Sequence, residues 1–457
     1  MGLHWNHFSL DIFGYHAWRQ TQTMATAVSF YEEDSHLLRP RRDCRGNTEG
    51  IFRIEFPLFQ WTLGVGCKLV GCHPSKVGRL YTYLLFLVAV GGAFFWLSSL
   101  FPLPLAIGAT LAFLWSPALF YYSVSPIPDV LALGCSMWAL GLWFREKHAL
   151  AATLFGISAL VKLPFILLWL LPVGEALFHT SCSKLRRKIL LYTLWIIFPC
   201  SIWYGYYSSL GQNKGLISGL LLYRGSLERY LELLYHNFLV LIPENIIGYA
   251  FTFPFLAGFI RYAKRGVSEK PYWLLGASLT AYLAYEAPAI QEHHDYYLFP
   301  WLAWTTLGVA EGLKWGTKWR GEQFILFFTT LAPIGAWLRM HHRWDSSKPG
   351  FNPDLLHHKW ALRSAVPDTA RVVVGVDPSS FIYLYHLHKK GWCITNDSLA
   401  ERVLHEALKE GASYMYSDSR RLDHLAQEYI SDTLGKWGEF YVYKLSDPKR
   451  FSSSSKN

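Results

Sequence analysis

Charged side chains are scarce in this sequence. Asp, Glu, Lys and Arg make up 17 % of its 457 residues, against about 25 % in an ordinary soluble domain. That deficit excludes a disordered chain and argues against a wholly soluble enzyme. Cysteine is scarce too. The seven (Cys44, Cys67, Cys72, Cys135, Cys182, Cys200, Cys393) form no CxxC pair and no zinc spacing. Cys67 and Cys72 are placed to bridge in an oxidising compartment, the alternative being free thiols. No G-x-G-x-x-G turn follows a strand, so nucleotide binding is unsupported. No internal repeat recurs at a solenoid period. No cleavable signal peptide is present, since Met1–Asn6 lacks a basic region and no apolar core follows it.

What the chain has instead is apolar length. Hydrophobic residues reach 52 % and aromatics 17 %, with a net charge of +10. The distribution is uneven. Residues 345–457 hold 15 basic and 14 acidic side chains, whereas 79–344 read as one apolar stretch after another. A bilayer core needs about 20 apolar residues in a helix. The candidates are 79–101, 102–126, 129–145, 149–163, 165–178, 188–210, 243–263, 271–288, 295–313 and 323–342. The pair 149–163 and 165–178 is short and broken at Pro164, as in a bent or re-entrant pair inside a bundle. Before residue 79 one apolar helix, Phe56–Gly71, reads as interfacial.

The basic excess sits before residue 345, which points to cytoplasmic membrane loops and not to nucleic acid. The linkers Arg145–His148, Ser183–Lys188, Arg261–Lys270 and Lys314–Glu322 carry 2, 4, 4 and 3 basic residues. Placing them in the cytoplasm threads the region before 79, the Pro126–Asp129 turn, the His293–Asp295 turn and the tail to the other face. The reading is therefore mainly α: a polytopic membrane helix bundle with outer juxtamembrane helices and a small C-terminal soluble α/β domain. Its segments are an extracytoplasmic loop region over 1–78, a transmembrane bundle of about ten spans over 79–344, and an extracytoplasmic α/β domain over 345–457. Within the tail, Arg371–Val376, Ser413–Ser417 and Glu439–Tyr443 read as strands, and Ser379–Lys389 and Leu399–Glu410 as helices.

Four polar segments collect on that outer face. HAWRQTQT (His16–Thr23) carries Arg19 and Gln20. An arginine fork suits phosphate, donating paired charge-assisted hydrogen bonds. Asp11, Asp43 and Glu55 are carboxylates for general-base or cation-binding work, the alternative being a solvated loop with ordinary ion pairs. SPIPDV (Ser125–Val130) opens a helix with Asp129, either a cap or an acid held for chemistry. Lys162 stands inside an apolar run, where a cation marks a functional site by default, unless it snorkels to the interface. His293, His294, Asp295 and Tyr296 open a further span, in EAPAIQEHHDYYLFP. Adjacent His-His-Asp on one helix makes a poor set of ligands for one metal ion, so no metal ligands are assigned.

Taken in order, HAWRQTQT with FYEE, RPRRDCRGNTEG with EFPLFQW, SPIPDV, LVKLPF and HHDYYLFP resemble landmarks of the C-type glycosyltransferase superfamily. The resemblance lies with its polyprenyl- and dolichyl-phosphate-sugar branch, which includes protein mannosyltransferases and lipid A aminoarabinose transferases, and covers about residues 11–344. It implies a polyprenyl-phosphate-sugar donor, a membrane-lipid environment, inverting transfer, a glycan, lipid or protein acceptor, and a site on the outer surface of a bacterial inner or plasma membrane. No cofactor is certain, and a divalent cation is left open as the partner of the phosphate. Arg19, Lys162 and the His293/His294 pair are the candidates to hold the leaving phosphate, with Gln20, Asp43, Glu55, Asp295 and Tyr296 lining substrate. Asp11, Asp129 and His16 are the candidates for catalysis. Where the family pattern has an acid three places before the arginine, this chain has His16, the nearest upstream acid being Asp11. The Lys-Pro landmark is replaced by Glu55-Phe56. The family's opening membrane helix is missing, which leads us to expect an upstream start codon or a truncated gene. The alternative functions are a transporter or flippase of lipid-linked sugars, and a non-catalytic binder of them.

Overall fold

The computed structural model describes residues 2–179, 183–207, 219–291 and 294–447. It divides into two compact units interleaved along the chain. The first holds residues 1–8, 53–59 and 77–343, the second 9–52, 60–76 and 344–457. The region before residue 79 is shared between them, and the Leu58–Val70 helix begins in one and ends in the other.

The first unit is helical. Over its described residues every candidate span is largely helical, but half of them are short or broken. Among the described residues three helices are long and apolar enough to cross a membrane: Pro74–Leu97, Leu185–Tyr206 and Gln323–Trp344. A fourth crossing exists if Leu227–Ile247 and Tyr249–Arg265 count as one span bent by 112°. The bend is at Gly248, whose φ of 74° only glycine adopts without strain. The candidate span 243–263 is therefore not straight. The expected break at Pro164 is present. The helix His148–Val161 stops, Lys162 is extended, and a 3-10 turn Leu163–Trp169 follows. Proline disfavours helical backbone in the residue before it and has no N–H to donate. Likewise Pro117 and the Pro126/Pro128 pair divide 102–145 into Leu103–Leu114, Pro117–Tyr122 and Asp129–Trp143.

The second unit carries the sheet, in the order β2-β1-β3-β5-β4. Its strands are β1 Arg371–Gly375, β2 Lys390–Ile394, β3 Tyr414–Ser417, β4 Ile430–Trp437 and β5 Phe440–Leu445. β1 pairs in parallel with β2 and β3, and the β3-β5 and β5-β4 pairs are antiparallel. The Arg371–Val376 run lands on β1, a central strand buried on both faces, which is why it reads as continuous valine. The core gathers Val373, Ile394, Leu404, Met415 and Leu422. Against this unit's own residues stands the Ala17–Glu32 helix, buried along most of its length despite its polar sequence.

Candidate functional site

In the helical unit the site grows from a helix hairpin. Asp129–Trp143 and His148–Val161 run antiparallel, joined by the basic turn at Arg145–Lys147. The hydroxyls of Ser136 and Ser158 meet at 2.7 Å across the hairpin and fix its register. Asp129, first residue of one helix, and Lys162, just past the end of the other, are thereby brought together. Lys162 Nζ lies 3.5 Å from Asp129 Oδ1, and the carboxylate side chain is 1 % exposed. Lys162 also sits over the rings of Tyr296 and Tyr297, 5.5 and 4.9 Å from their centroids. A buried ion pair of this kind persists only with such support.

Glu55 is buried in the same unit. Its neighbour Phe56 donates its backbone N–H to the Leu160 carbonyl at 3.2 Å, which seats the Arg53–Phe59 segment two residues before Lys162. The Tyr204 hydroxyl donates to the same carbonyl at 2.8 Å. Asp295, also buried, is a hub. It accepts from the Tyr122 hydroxyl at 2.9 Å, from Asn245 Nδ2 at 2.8 Å and from Arg343 Nη2 at 2.8 Å. Its next residue, Tyr296, is buried edge-on to the Tyr122 ring. His294 turns its Nδ1 to the Ala289 carbonyl at 2.9 Å. His293 lies outside the described residues. Thus Asp129, Lys162 and Tyr296 meet, and Asp295 and Glu55 stand on the segments that flank them. The sequence pattern did not single out Tyr297, Asn245 or Arg343.

The remaining candidates belong to the second unit. His16 caps the Ala17–Glu32 helix in left-handed backbone, φ 57°, with its ring against Tyr15. Arg19 is buried, its Nη1 donating to Gln22 Oε1 at 2.5 Å, and Gln20 donates to the Tyr15 carbonyl at 3.1 Å. Asp11 pairs with Lys359. Burial would raise its carboxyl, but the Lys359 hydrogen bond and charge hold it below the usual range.

At the other end of that helix the arginines of the RPRRDCRG loop reach Glu33 and Asp34. Glu33 accepts from Arg41 at 3.1 Å, Arg45 at 2.9 Å and Lys390 at 2.5 Å. Glu32 meets His388 at 3.2 Å and His73 at 3.4 Å. Its carboxyl is drawn down to about 2, burial opposing and these two histidines prevailing. A cavity of about 180 Å³ opens here, lined by Ser29, Glu32, Glu33, Asp43, Tyr385 and Lys390 among others. Burial pushes Asp43 up to about 6 against the pull of Lys390 and Arg45. Among the described residues no set of three or more His, Cys, Asp and Glu side chains is placed to hold a metal ion.

No family model matches the chain, and no curated protein matches it in sequence. Solved structures do match in fold. The apo structure of ArnT from Cupriavidus metallidurans superposes with a TM-score of 0.65 at 12 % identity, covering 95 % of each chain. The same protein bound to undecaprenyl phosphate gives 0.63 at 11 %, again over 95 % of each. The apo oligosaccharyltransferase of Archaeoglobus fulgidus gives 0.60 at 12 %, over 97 % of this chain and 72 % of that one. The protein has the C-type glycosyltransferase fold, with a helical body and a small C-terminal sheet. With its long apolar helices, it is an integral membrane protein of that fold.

Proposed function

We propose that the protein is a membrane glycosyltransferase that moves a sugar from a polyprenyl-phosphate donor to an acceptor outside the cytoplasm, with inversion. The observation that carries this reading is the buried Asp129–Lys162 pair beside Tyr296 and Tyr297, on a fold shared with a transferase solved with undecaprenyl phosphate. The donor's tail stays in the bilayer and its head lies at the interface. Lys162 neutralises the departing phosphate, as preorganised positive charge does where negative charge develops. Asp129 accepts the proton of the acceptor hydroxyl, with Lys162 as its charge partner. That oxygen attacks the anomeric carbon from the face opposite the phosphate, and polyprenyl phosphate leaves. The polar cavity beside Asp43 is the place in the second unit for a polyhydroxyl group. The unit holding it faces outward, as the loop charges indicate.

The test is transfer in detergent, with a panel of synthetic polyprenyl-phosphate sugars and release of polyprenyl phosphate as the readout. Turnover is expected without any transmembrane gradient, which a flippase would not give. Asp129→Asn is expected to abolish release while donor binding persists. Near-native release by that variant removes Asp129 from the mechanism, and binding without turnover by the native protein favours a non-catalytic binder.

A further inference from the structure

Four of the cysteines stand in two close pairs, both in the second unit. The first pair is made by a helix end. The helix Leu58–Val70 closes at Gly71, whose φ is 74°. The Cys72 N–H then donates to the Cys67 carbonyl at 3.0 Å. This is the six-to-one bond of a Schellman cap, a motif that also presses the side chains of these two positions together. Usually both are apolar. Here both are thiols, and their sulfurs are 3.0 Å apart.

The second pair is made by a sheet edge. β2 is an edge strand, and the Arg39–Gly46 loop covers it. Gly391 donates to the Asp43 carbonyl at 3.1 Å, and Arg45 and Gly46 donate back to Gly391 at 2.9 and 2.8 Å. Cys44 pairs with Gly391 in this bridge. Cys393, two residues along, lies on the same side of the strand by the two-residue alternation of side chains. The Cys44 and Cys393 side chains are close enough to interact, and the Cys393 thiol donates to the Ser380 carbonyl at 3.6 Å.

We propose that Cys67–Cys72 and Cys44–Cys393 are disulfides in the mature protein, the second fastening the RPRRDCRG loop, and with it Asp43, to the edge of the sheet. The inference rests on the outward placement of this unit in the function proposed above, because disulfides persist in oxidising compartments. The oxidant is a protein disulfide of the thiol-oxidase class. The Cys44 thiolate attacks one sulfur of that disulfide, its S–S bond breaks, and a mixed disulfide forms as one oxidant thiol leaves. Cys393 gives its proton to solvent and attacks the Cys44 sulfur. The Cys44–Cys393 bond forms and the second oxidant thiol is released. Two electrons and two protons pass to the oxidant in all. Cys44 is suited to the first attack: the neighbouring Cys393 thiol, and then the charge of Arg42, hold its own thiol below the ordinary value despite burial. Cys393, buried, is pushed well above it and suits the resolving step. The Cys67–Cys72 bond forms by the same exchange.

The test quenches living cells with trichloroacetic acid and alkylates the full-length protein with N-ethylmaleimide in denaturant, so that buried thiols also react. Non-reducing peptide mass spectrometry then reads the pairs, with the helical unit's Cys135 and Cys200 as thiols expected to be alkylated. Peptides cross-linked 44–393 and 67–72 are expected in most molecules. Cys72→Ser is expected to expose Cys67 to alkylation and leave the 44–393 link intact, and Cys44→Ser to do the converse. Four alkylated cysteines overturn the proposal. If oxidised glutathione then forms both links in the unalkylated purified protein, the pair geometry stands and the outward placement has failed. If it forms neither, the geometry itself has failed. Sugar transfer in detergent is read separately, so either failure is distinguishable from failure of the proposed chemistry.

Discussion

The Asp129–Lys162 pair separates a structural ion pair from a catalytic one. At 3.5 Å, two unit charges attract by about 5 kcal/mol at an effective dielectric of about 20. Much of that is offset by desolvation, so the useful quantity is the cost of removing one partner. Asp129 is 1 % exposed, and Lys162→Met strands its charge in the bundle, at about 3–5 kcal/mol. Asp129→Asn is expected to cost less. Lys162 keeps the faces of Tyr296 and Tyr297, worth about 0.5–2 kcal/mol. The double variant strands nothing and is expected to recover most of the loss, a coupling of about 2–3 kcal/mol within the range for contacting residues. Stability is read as unfolding in detergent by the fluorescence of the 20 tryptophans. Transfer is read in the same preparations. All three variants are expected to lose it by about 100-fold or more. A double variant that regains stability and also transfers within about tenfold of native makes the pair structural. Additive stabilities with no coupling refute the ion pair itself.

Three further outcomes follow from the geometry. Asp295→Asn removes the charge partner of buried Arg343 and is expected to cost about 3 kcal/mol, seen as a lower unfolding temperature. A restored temperature in Asp295→Asn/Arg343→Met is its check. Gly312→Ala puts a methyl group against the Pro254 carbonyl, where Trp301–Arg320 and Tyr249–Arg265 are packed. About 1–3 kcal/mol of destabilisation is expected, and a neutral result shows that the two helices are farther apart. The pH dependence of unfolding carries two opposite signatures. Asp43 is raised to about 6 in the fold, so its contribution is present below about 4, the unfolded carboxyl value, and fades as pH rises through 6. Glu32 is lowered to about 2, so its contribution is present above about 4.5 and fades as pH falls toward 2. Denaturant unfolding from pH 3 to 7 should therefore lose the decline near 6 in Asp43→Asn and part of the acid decline in Glu32→Gln. Unchanged curves refute the environments assigned to them.

Much of the fold was legible because its strongest signals are local. RVVVG announces a strand buried on both faces, and Pro164 announces a break, since each effect acts within a few residues. The helix read from Phe56–Gly71 is Leu58–Val70 in the structure. Two strands went unread for physical reasons. β4, ISDTLGKW, is an edge strand largely exposed to solvent, and such edges are kept polar. β2, KGWCI, has as its second residue a glycine packed against the Val372 backbone, which removes the alternation that marks a strand. Span length misled most. Apolar composition reports that a segment avoids water. It does not say whether the avoidance is by lipid or by neighbouring helices, and Leu103–Leu114 and Asp129–Trp143 are short apolar helices with buried residues along their length.

The candidate site divides along the same line. That Asp129 and Lys162 meet follows from arithmetic on the sequence. They stand nearly equidistant from the basic turn at Arg145–Lys147, and two antiparallel helices of equal rise must bring such positions side by side. An acid and a lysine so placed form the one part of the site that sequence alone could have paired. Asp295 with Arg343, and Glu33 with Lys390, join residues 48 and 357 positions apart. No periodicity reaches across such distances. Arg19 shows the reverse case. It reads as a phosphate fork because it stands beside polar residues, yet it is buried against Gln22 one turn along its own helix. Local sequence supplied its chemistry, but where that chemistry points is decided by the helix face the fold buries. The positive charge that the proposed reaction needs is for that reason assigned to Lys162, whose partner the hairpin fixes.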